Sequence, residues 1–358
     1  MAKLRSVMRN MRRGVPHAAA RVNWLLVAIR AAVDPVRRPA AGAEPLGTLS
    51  CQKPGARQGL RLPQKRKLSM HIQPTEATLG AAVTGVDLRQ PLSDADFARI
   101  EDAWNQHAVL IFPGQHLSDE QHLAFTRRFG RLEISIRRTG SNLGRLSNVD
   151  KDGNVVPPTS LQARFLVGNT YWHSDSSYKR VGAKASLLAA HVVPSEGGET
   201  EWADMRAAYD ALDQGMQNWL EGKIAVHSYE YSHKPFGGME ILGPEELKHL
   251  MPVEHAVVKT HPATGRKNLF VGRHASHILG EDLEESRALL ARLTEEGAQP
   301  PRTYKHTWRP GDLVIWDNRC VLHRGHRWPD DQARVMVRST VAGDDPDNEW
   351  VMPEDAAA

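Results

Sequence analysis

Along the body of this chain, hydrophobic and polar positions switch between two periods. In "LSDADFARIEDAWNQHAVLIF", Phe97, Ile100 and Trp104 recur at helical spacing behind Ser93, an N-cap residue followed by acids. That spacing predicts a helix, and the unbroken apolar run at 109–112 predicts a strand after it. "LSDEQHLAFTRRFG" repeats the helix signal, with Ser118 as cap and Gly130 as terminator. Residues 134–168 lose periodicity, contain the pair Pro157-Pro158 and read as a long loop. "AKASLLAAHVV" (183–193) predicts a strand, and "PSEGGET" a turn. "DMRAAYDALDQGMQNWL" and "DLEESRALLARLTEEG" predict helices, the second ending at Gly297. Strand patterns return in "GDLVIWDN" (311–318) and "RVMVRSTVAG" (334–343). There is no regular βαβ alternation, no GxGxxG fingerprint and no P-loop pattern. A mainly β core dressed with flanking helices, forming one domain, fits this order.

The first 69 residues have a different character. They hold 15 Lys/Arg against two acids, Asp34 and Glu44, a net +13. The remainder holds 31 basic and 40 acidic residues, a net −9, so the overall +4 belongs to the leader. A mildly acidic body argues against nucleic acid as its partner. The leader reads as an organelle-type presequence, a basic arm for an acidic partner, or upstream sequence translated from too early a start. The third reading is favoured, with Met70 as the natural start, the leader disordered and at most a helix near 18–33. The expected division is therefore 1–69 leader, 70–345 folded domain and 346–358 C-terminal tail. The longest apolar leader run, "WLLVAI", is far below the ~20 residues of a membrane span, so no membrane partner is expected. Two cysteines, Cys51 and Cys320, make no disulfide framework and suit a reducing, cytoplasmic setting.

Candidate chemistry begins in "YWHSDSSY". On a strand, His173 and Asp175 two residues apart lie on one face, so an imidazole and a carboxylate are aimed at one point. Among seventeen histidines this is the only H-x-D or H-x-E. A surface or hydrogen-bonded pair is the bland alternative. In "LVIWDNRCVLHR" an apolar strand runs into an Asp-Asn turn, from which a neighbouring strand could present His323 to the first pair; His326 is the decoy. Two histidines and one carboxylate fit one face of an octahedral metal, as in non-haem Fe(II) oxygenases, and zinc hydrolases share the ligand chemistry. In "ARVMVRSTVAG", Arg334, Met336, Arg338 and Thr340 share one strand face. Either the valines face inward and the arginines face water, or the arginines point into a barrel and hold two different anions.

"NTYWHSDSSY…AKASLLAAHVVPSEGGETEWADMRAAYDAL", followed by "VIWDNRCVLHR" and "ARVMVRSTVAG", resembles the taurine dioxygenase family of Fe(II)- and 2-oxoglutarate-dependent enzymes over about residues 70–345. It is most similar to the branch acting on 2,4-dichlorophenoxyacetate and phenoxypropionates. The resemblance implies a double-stranded β-helix (jelly roll) core. It implies His173, Asp175 and His323 as iron ligands, and Thr200 and Arg334 as holders of the far carboxylate of 2-oxoglutarate. It further implies Arg338 as the anchor of the substrate's acidic group, with Asn169 and Trp172 in the run supporting the ligands. The activity implied is hydroxylation of an aryloxyalkanoate beside its ether oxygen, giving a phenol, a 2-oxoacid, succinate and CO2. An alkylsulfonate such as taurine, or another small organic acid, would use the same anchor. A jelly-roll binding protein without catalysis is the alternative of another class. Besides Fe(II) and 2-oxoglutarate, the expected partners are a small organic acid and O2, with a homo-oligomer left open. Segments 137–168 and 228–243 are expected to line the mouth of the site, and Cys320 to serve packing.

Overall fold

The computed structural model describes residues 69–135 and 142–352. The expectations for the leader, including the helix near 18–33, lie outside the described residues. In chain order the elements begin with β1 (His71–Pro74), β2 (Ala81–Thr84), α1 (Asp94–His107), β3 (Val109–Phe112) and α2 (Asp119–Arg127). Next come β4 (Gly144–Ser147), α3 (Leu161–Gly168), β5 (Ala185–Val192), β6 (Thr200–Asp204), α4 (Met205–Asp210) and α5 (Gln214–Leu220). They continue with β7 (Ile224–His227), α6 (Tyr229–His233), α7 (Pro244–Lys248), β8 (Val253–Ala256), β9 (Val258–Thr260), β10 (Lys267–Leu269) and β11 (Ala275–Ile278). The last are α8 (Leu283–Gly297), β12 (Thr303–His306), β13 (Leu313–Asp317), β14 (Val321–Gly325) and β15 (Val335–Val341).

The fold is mainly β with helices. A seven-stranded sheet runs β1-β2-β3-β13-β5-β15-β4, and a three-stranded sheet runs β12-β6-β14. The near-continuous apolar runs of β3, β5 and β13 have a direct cause: both faces of the large sheet are covered. Phe112, Leu187, Leu313 and Ile315 pack with Phe97, Ile100, Trp104, Phe125 and Phe129 from α1, α2 and the turn after α2. The alternate residues Ile111, Leu188, Val314 and Trp316 meet Trp202 of β6 and Val321 of β14. Each such fully buried side chain contributes ~1.5–3 kcal/mol relative to exposure. Ser93 and Ser118 cap α1 and α2 as expected, accepting from Asp96 N–H and Gln121 N–H. Helix α2 stops at Arg127 and the chain passes through Gly130 at φ +142° only afterwards.

Two expectations need correction. Residues 134–168 are not a structureless loop. Strand β4 forms because β15 supplies its partner, Val335 opposite Ser147, and α3 starts on Ser160, whose side chain accepts from Ala163 N–H. The strand partner lies far along the chain and leaves no local trace, whereas the Ser160 cap is a local signal that the aperiodic stretch around it masked. The predicted helix over 204–220 is two helices, because Asp213 leaves helical geometry and caps α5 by accepting from Met216 N–H. Beyond residue 345, Asn348, Trp350 and Met352 are buried. Trp350 is buried beneath Lys179, whose ammonium lies 4.0 Å from its ring centroid, and Val351 bridges to Glu133.

Candidate metal centre and anion-binding pocket

A pocket lies against β4, β5, β6, β14 and β15, which contribute Leu146, Leu188, Thr200, His323 and Arg338 to its lining. His173 sits on a single antiparallel bridge to His323 of β14, with backbone hydrogen bonds of 3.0 and 2.8 Å exchanged. The strand expected at "YWHSDSSY" is reduced to that bridge, since the chain turns immediately, with Ser176 at φ +57°. The imidazoles of His173 and His323 nevertheless lie 4.1 Å apart by ring centroid. Oδ2 of Asp175 is 3.6 Å from Nε2 of His323, and one donor atom from each of the three residues falls within 4.8 Å of the others. His326, the decoy, turns away to Glu201 at 3.0 Å.

This set suits a divalent metal on its own chemistry. Nδ1 of His173 is engaged by the Tyr171 carbonyl at 2.7 Å, which leaves Nε2 as its ligand atom. Among the described residues, Nδ1 of His323 is buried with no hydrogen-bond partner. Burial holds His173 well below the usual imidazole value and lowers His323 to about 4, so both rings are neutral ligands near neutral pH. Burial would raise the Asp175 carboxyl, but Arg338 first, then His323 and His173, outweigh it and hold it anionic. Arg338 Nη1 donates to Oδ1 at 2.7 Å and the Ser186 hydroxyl to Oδ2 at 2.7 Å, so each oxygen keeps a lone pair.

Arg334 and Arg338 share the strand face of Met336, which packs between the sheets, so the reading of arginines in water fails. Arg334 is only 7% exposed. Its Nε and Nη2 donate to the Gly198 carbonyl at 3.1 and 3.0 Å, and its guanidinium lies 5.1 Å from the Trp328 ring centroid. Burial lowers it to about 10, which leaves it cationic near neutral pH. Gly198 stands at φ +70°, where a Cβ would meet Arg334 at 3.0 Å, so the second glycine of "EGGET" is required by this contact. The Thr200 hydroxyl accepts from Trp308 Nε1 at 3.0 Å, leaving its own proton for a ligand.

One pocket brings together Asn169, His173, Thr200, His323, Arg334 and Arg338. Trp172 is not among its walls; it packs in the core behind α4 and α8 and stacks against Arg324. A larger cavity of about 960 Å³ adjoins through Leu146, Leu166 and Arg338, which line both. Leu161, from 137–168, and Tyr229, His233 and Leu242, from 228–243, contribute to its wall, joined by Tyr178 from outside both segments. Gly198, Trp308, Trp328 and Ser186 were missed from the sequence. Only the Gly-Gly pair carried a local signal. Cys320 is buried in the inter-sheet core with its thiol pushed up by burial, as packing requires.

Burial depresses many histidines: His122, His255 and His323 to about 4 and His233 to about 3, with His173, His227 and His274 also lowered. In the unfolded chain each returns to about 6.5, so between roughly pH 6.5 and 4 the unfolded state binds more protons. Their contribution to stability is therefore full above that range and is lost as pH falls through it. Thermal unfolding of metal-free protein should show Tm falling from about pH 6.5 downward. A Tm unchanged to about pH 4.5 would contradict the neutral, buried assignment.

Known proteins share this framework. The model of the "Taurine catabolism dioxygenase TauD, TfdA family" matches residues 71–340. The chain is 44% identical over 283 residues to the (S)-phenoxypropionate/alpha-ketoglutarate-dioxygenase of Delftia acidovorans, covering 77% of this chain and 96% of that protein. It is 41% identical over 288 residues to the alpha-ketoglutarate-dependent 2,4-dichlorophenoxyacetate dioxygenase of Cupriavidus pinatubonensis, covering 77% and 99%. The crystal structure of AAD-2 in complex with Mn(II) and N-oxalylglycine superposes with a TM-score of 0.72 at 40% identity, over 77% of this chain and 98% of that one.

Proposed function

This chain belongs to the taurine catabolism dioxygenase TauD, TfdA family and is a 2-oxoglutarate-dependent dioxygenase; on that premise we propose that it hydroxylates an aryloxyalkanoate beside its ether oxygen. The non-enzymatic alternative does not survive that membership. The observation supporting the substrate class is the position of Arg338, at the junction of the metal-ligand pocket and a cavity whose mixed wall combines Tyr178, Tyr229 and several leucines with charged side chains such as Arg145, Lys179 and Glu240. A carboxylate held there leaves an attached aryl group on the cavity side.

His173, Asp175 and His323 hold Fe(II) in this reading. Arg334, already fixed by Gly198, presents its remaining N–H groups to the far carboxylate of 2-oxoglutarate, and Thr200 adds its hydroxyl. When bound, iron and 2-oxoglutarate supply oxidation of a C–H bond by O2, with release of succinate and CO2. The Arg338 guanidinium spends one N–H on Asp175 and makes no other side-chain hydrogen bond among the described residues, so its other N–H groups are available to the substrate carboxylate. Hydroxylation of the carbon beside the ether oxygen gives a hemiacetal, which separates into a phenol and a 2-oxoacid. The pairing of two sheets across the site supports reading the core as a double-stranded β-helix, with residues 70–345 as the catalytic unit. No helix among the described residues is long and apolar enough to cross a membrane; the cytoplasmic placement rests on the cysteine usage.

Succinate formation with a panel of acids tests the substrate. 2,4-Dichlorophenoxyacetate or a 2-phenoxypropionate should drive turnover and release a phenol, while taurine should not. Turnover with taurine alone would replace the proposal by the alkylsulfonate reading. Arg338→Ala should raise KM for the aryl acid by about tenfold or more, as expected when the half-buried cation that docks a carboxylate is removed.

A further inference from the structure

We infer that Trp316, Asn318 and Ser186 form a one-way chain of hydrogen bonds that fixes the orientation of the Asp175 carboxylate. The inference rests on reading Asp175 as a metal ligand. Its direction follows from which groups can only donate. The indole N–H of Trp316 has no acceptor capacity, and it reaches Oδ1 of Asn318 at 3.0 Å. The backbone N–H of Asp175, equally a donor only, reaches the same oxygen at 3.2 Å. Two obligate donors assign that atom as the amide oxygen, so the amide nitrogen must face the other way. It faces Ser186, whose Oγ lies 3.0 Å from Nδ2. Ser186 therefore accepts from Asn318, and its single proton is directed to Oδ2 of Asp175 at 2.7 Å.

Every member is shielded from water. Ser186 is 0% exposed, Asn318 and Trp316 1%, and Asp175 7%. A second tie runs from the Ser174 hydroxyl to the Asn318 carbonyl at 2.8 Å, so the segment carrying Asp175 is stitched to the end of β13 on both sides. With Arg338 on the other oxygen, the carboxylate is held between two directed donors. Rotation about its terminal torsion would break a charge-assisted hydrogen bond in a dry site. Ser186 and Asn318 are thus positioning residues: neither supplies a metal ligand, and both determine where one points.

The test is Co(II) binding to the full chain without oxygen, read by titration and by the visible ligand-field band. Ser186→Ala should weaken Co(II) affinity by ~10–100-fold, the usual effect of removing a partner of a metal ligand, and should alter the band. Asn318→Ala should alter the band in the same sense, although its side chain makes no hydrogen bond to the carboxylate oxygens. The double variant should bind about as weakly as the weaker single one, because both changes break one chain. Wild-type affinity and band in Ser186→Ala, or losses that multiply in the double variant, would overturn the inference. Asp175→Ala separates the underlying reading: if it binds Co(II) like the wild type, Asp175 is no ligand. Circular dichroism monitors folding, and should Asn318→Ala not fold, Ser186→Ala decides alone.

Discussion

Asp175→Ala is expected to abolish metal-dependent succinate formation, with a loss of ~1,000-fold or more. The carboxylate is the sole anionic member of a buried set whose other members, His173 and His323, are kept neutral by burial. Two imidazoles within one bridge would remain, a weaker and less specific site for a hard divalent ion. The substitution also removes the partner of Arg338, whose side chain is 29% exposed, and so places an uncompensated cation beside the remaining ligands. Both effects act against binding of a cation. Isothermal titration with Mn(II) or Co(II) checks the expectation directly. Stoichiometric binding with near wild-type affinity would remove Asp175 from the ligand set.

Arg334→Ala is expected to raise KM for 2-oxoglutarate by ~100-fold or more while leaving metal affinity within a few-fold of wild type. Loss of one partner of a buried, hydrogen-bonded charge pair costs about 2–5 kcal/mol, much of it from leaving the other charge buried and unpaired. The deletion also strips the Gly198 carbonyl of both its guanidinium donors. Arg334→Lys should fall between wild type and alanine, because an ammonium keeps the charge but cannot hold the Gly198 carbonyl and fork a carboxylate in one plane. Measured KM for 2-oxoglutarate, with kcat recorded separately, decides this. An unchanged KM in Arg334→Ala would move the co-substrate's far carboxylate elsewhere in the pocket.

Much of this molecule was legible in one dimension where the signal is local. Ser93 and Ser118 announce helices because an N-cap and an amphipathic period are set by neighbours a few residues away. The shared strand face of Arg334 and Arg338 was likewise readable, since the pleat alternates regardless of what covers it. Which face was covered was not readable: β15 has buried residues on both sides, and the arginines look outward only if the sheet is considered alone. Strand β4 and the break between α4 and α5 escaped because a partner strand, or a single cap that competes with helix continuation, lies outside any periodicity.

The sequence by itself determined the inventory of donors: one H-x-D, a histidine past an Asp-Asn turn, two arginines four apart, and a Gly-Gly-Glu-Thr turn. Tertiary structure decided their assignments. His323 rather than His326 joins His173, because pairing of β14 with β6 and the single bridge turn one ring inward and leave the other to Glu201. Arg338 rests on Asp175 and Arg334 on Gly198, and Ser186 and Asn318 steer the carboxylate. These contacts join residues 11 to 163 positions apart, and no pattern of local spacing encodes them. They arise when two sheets close on a dry space, where a charge or an N–H left without a partner is costly.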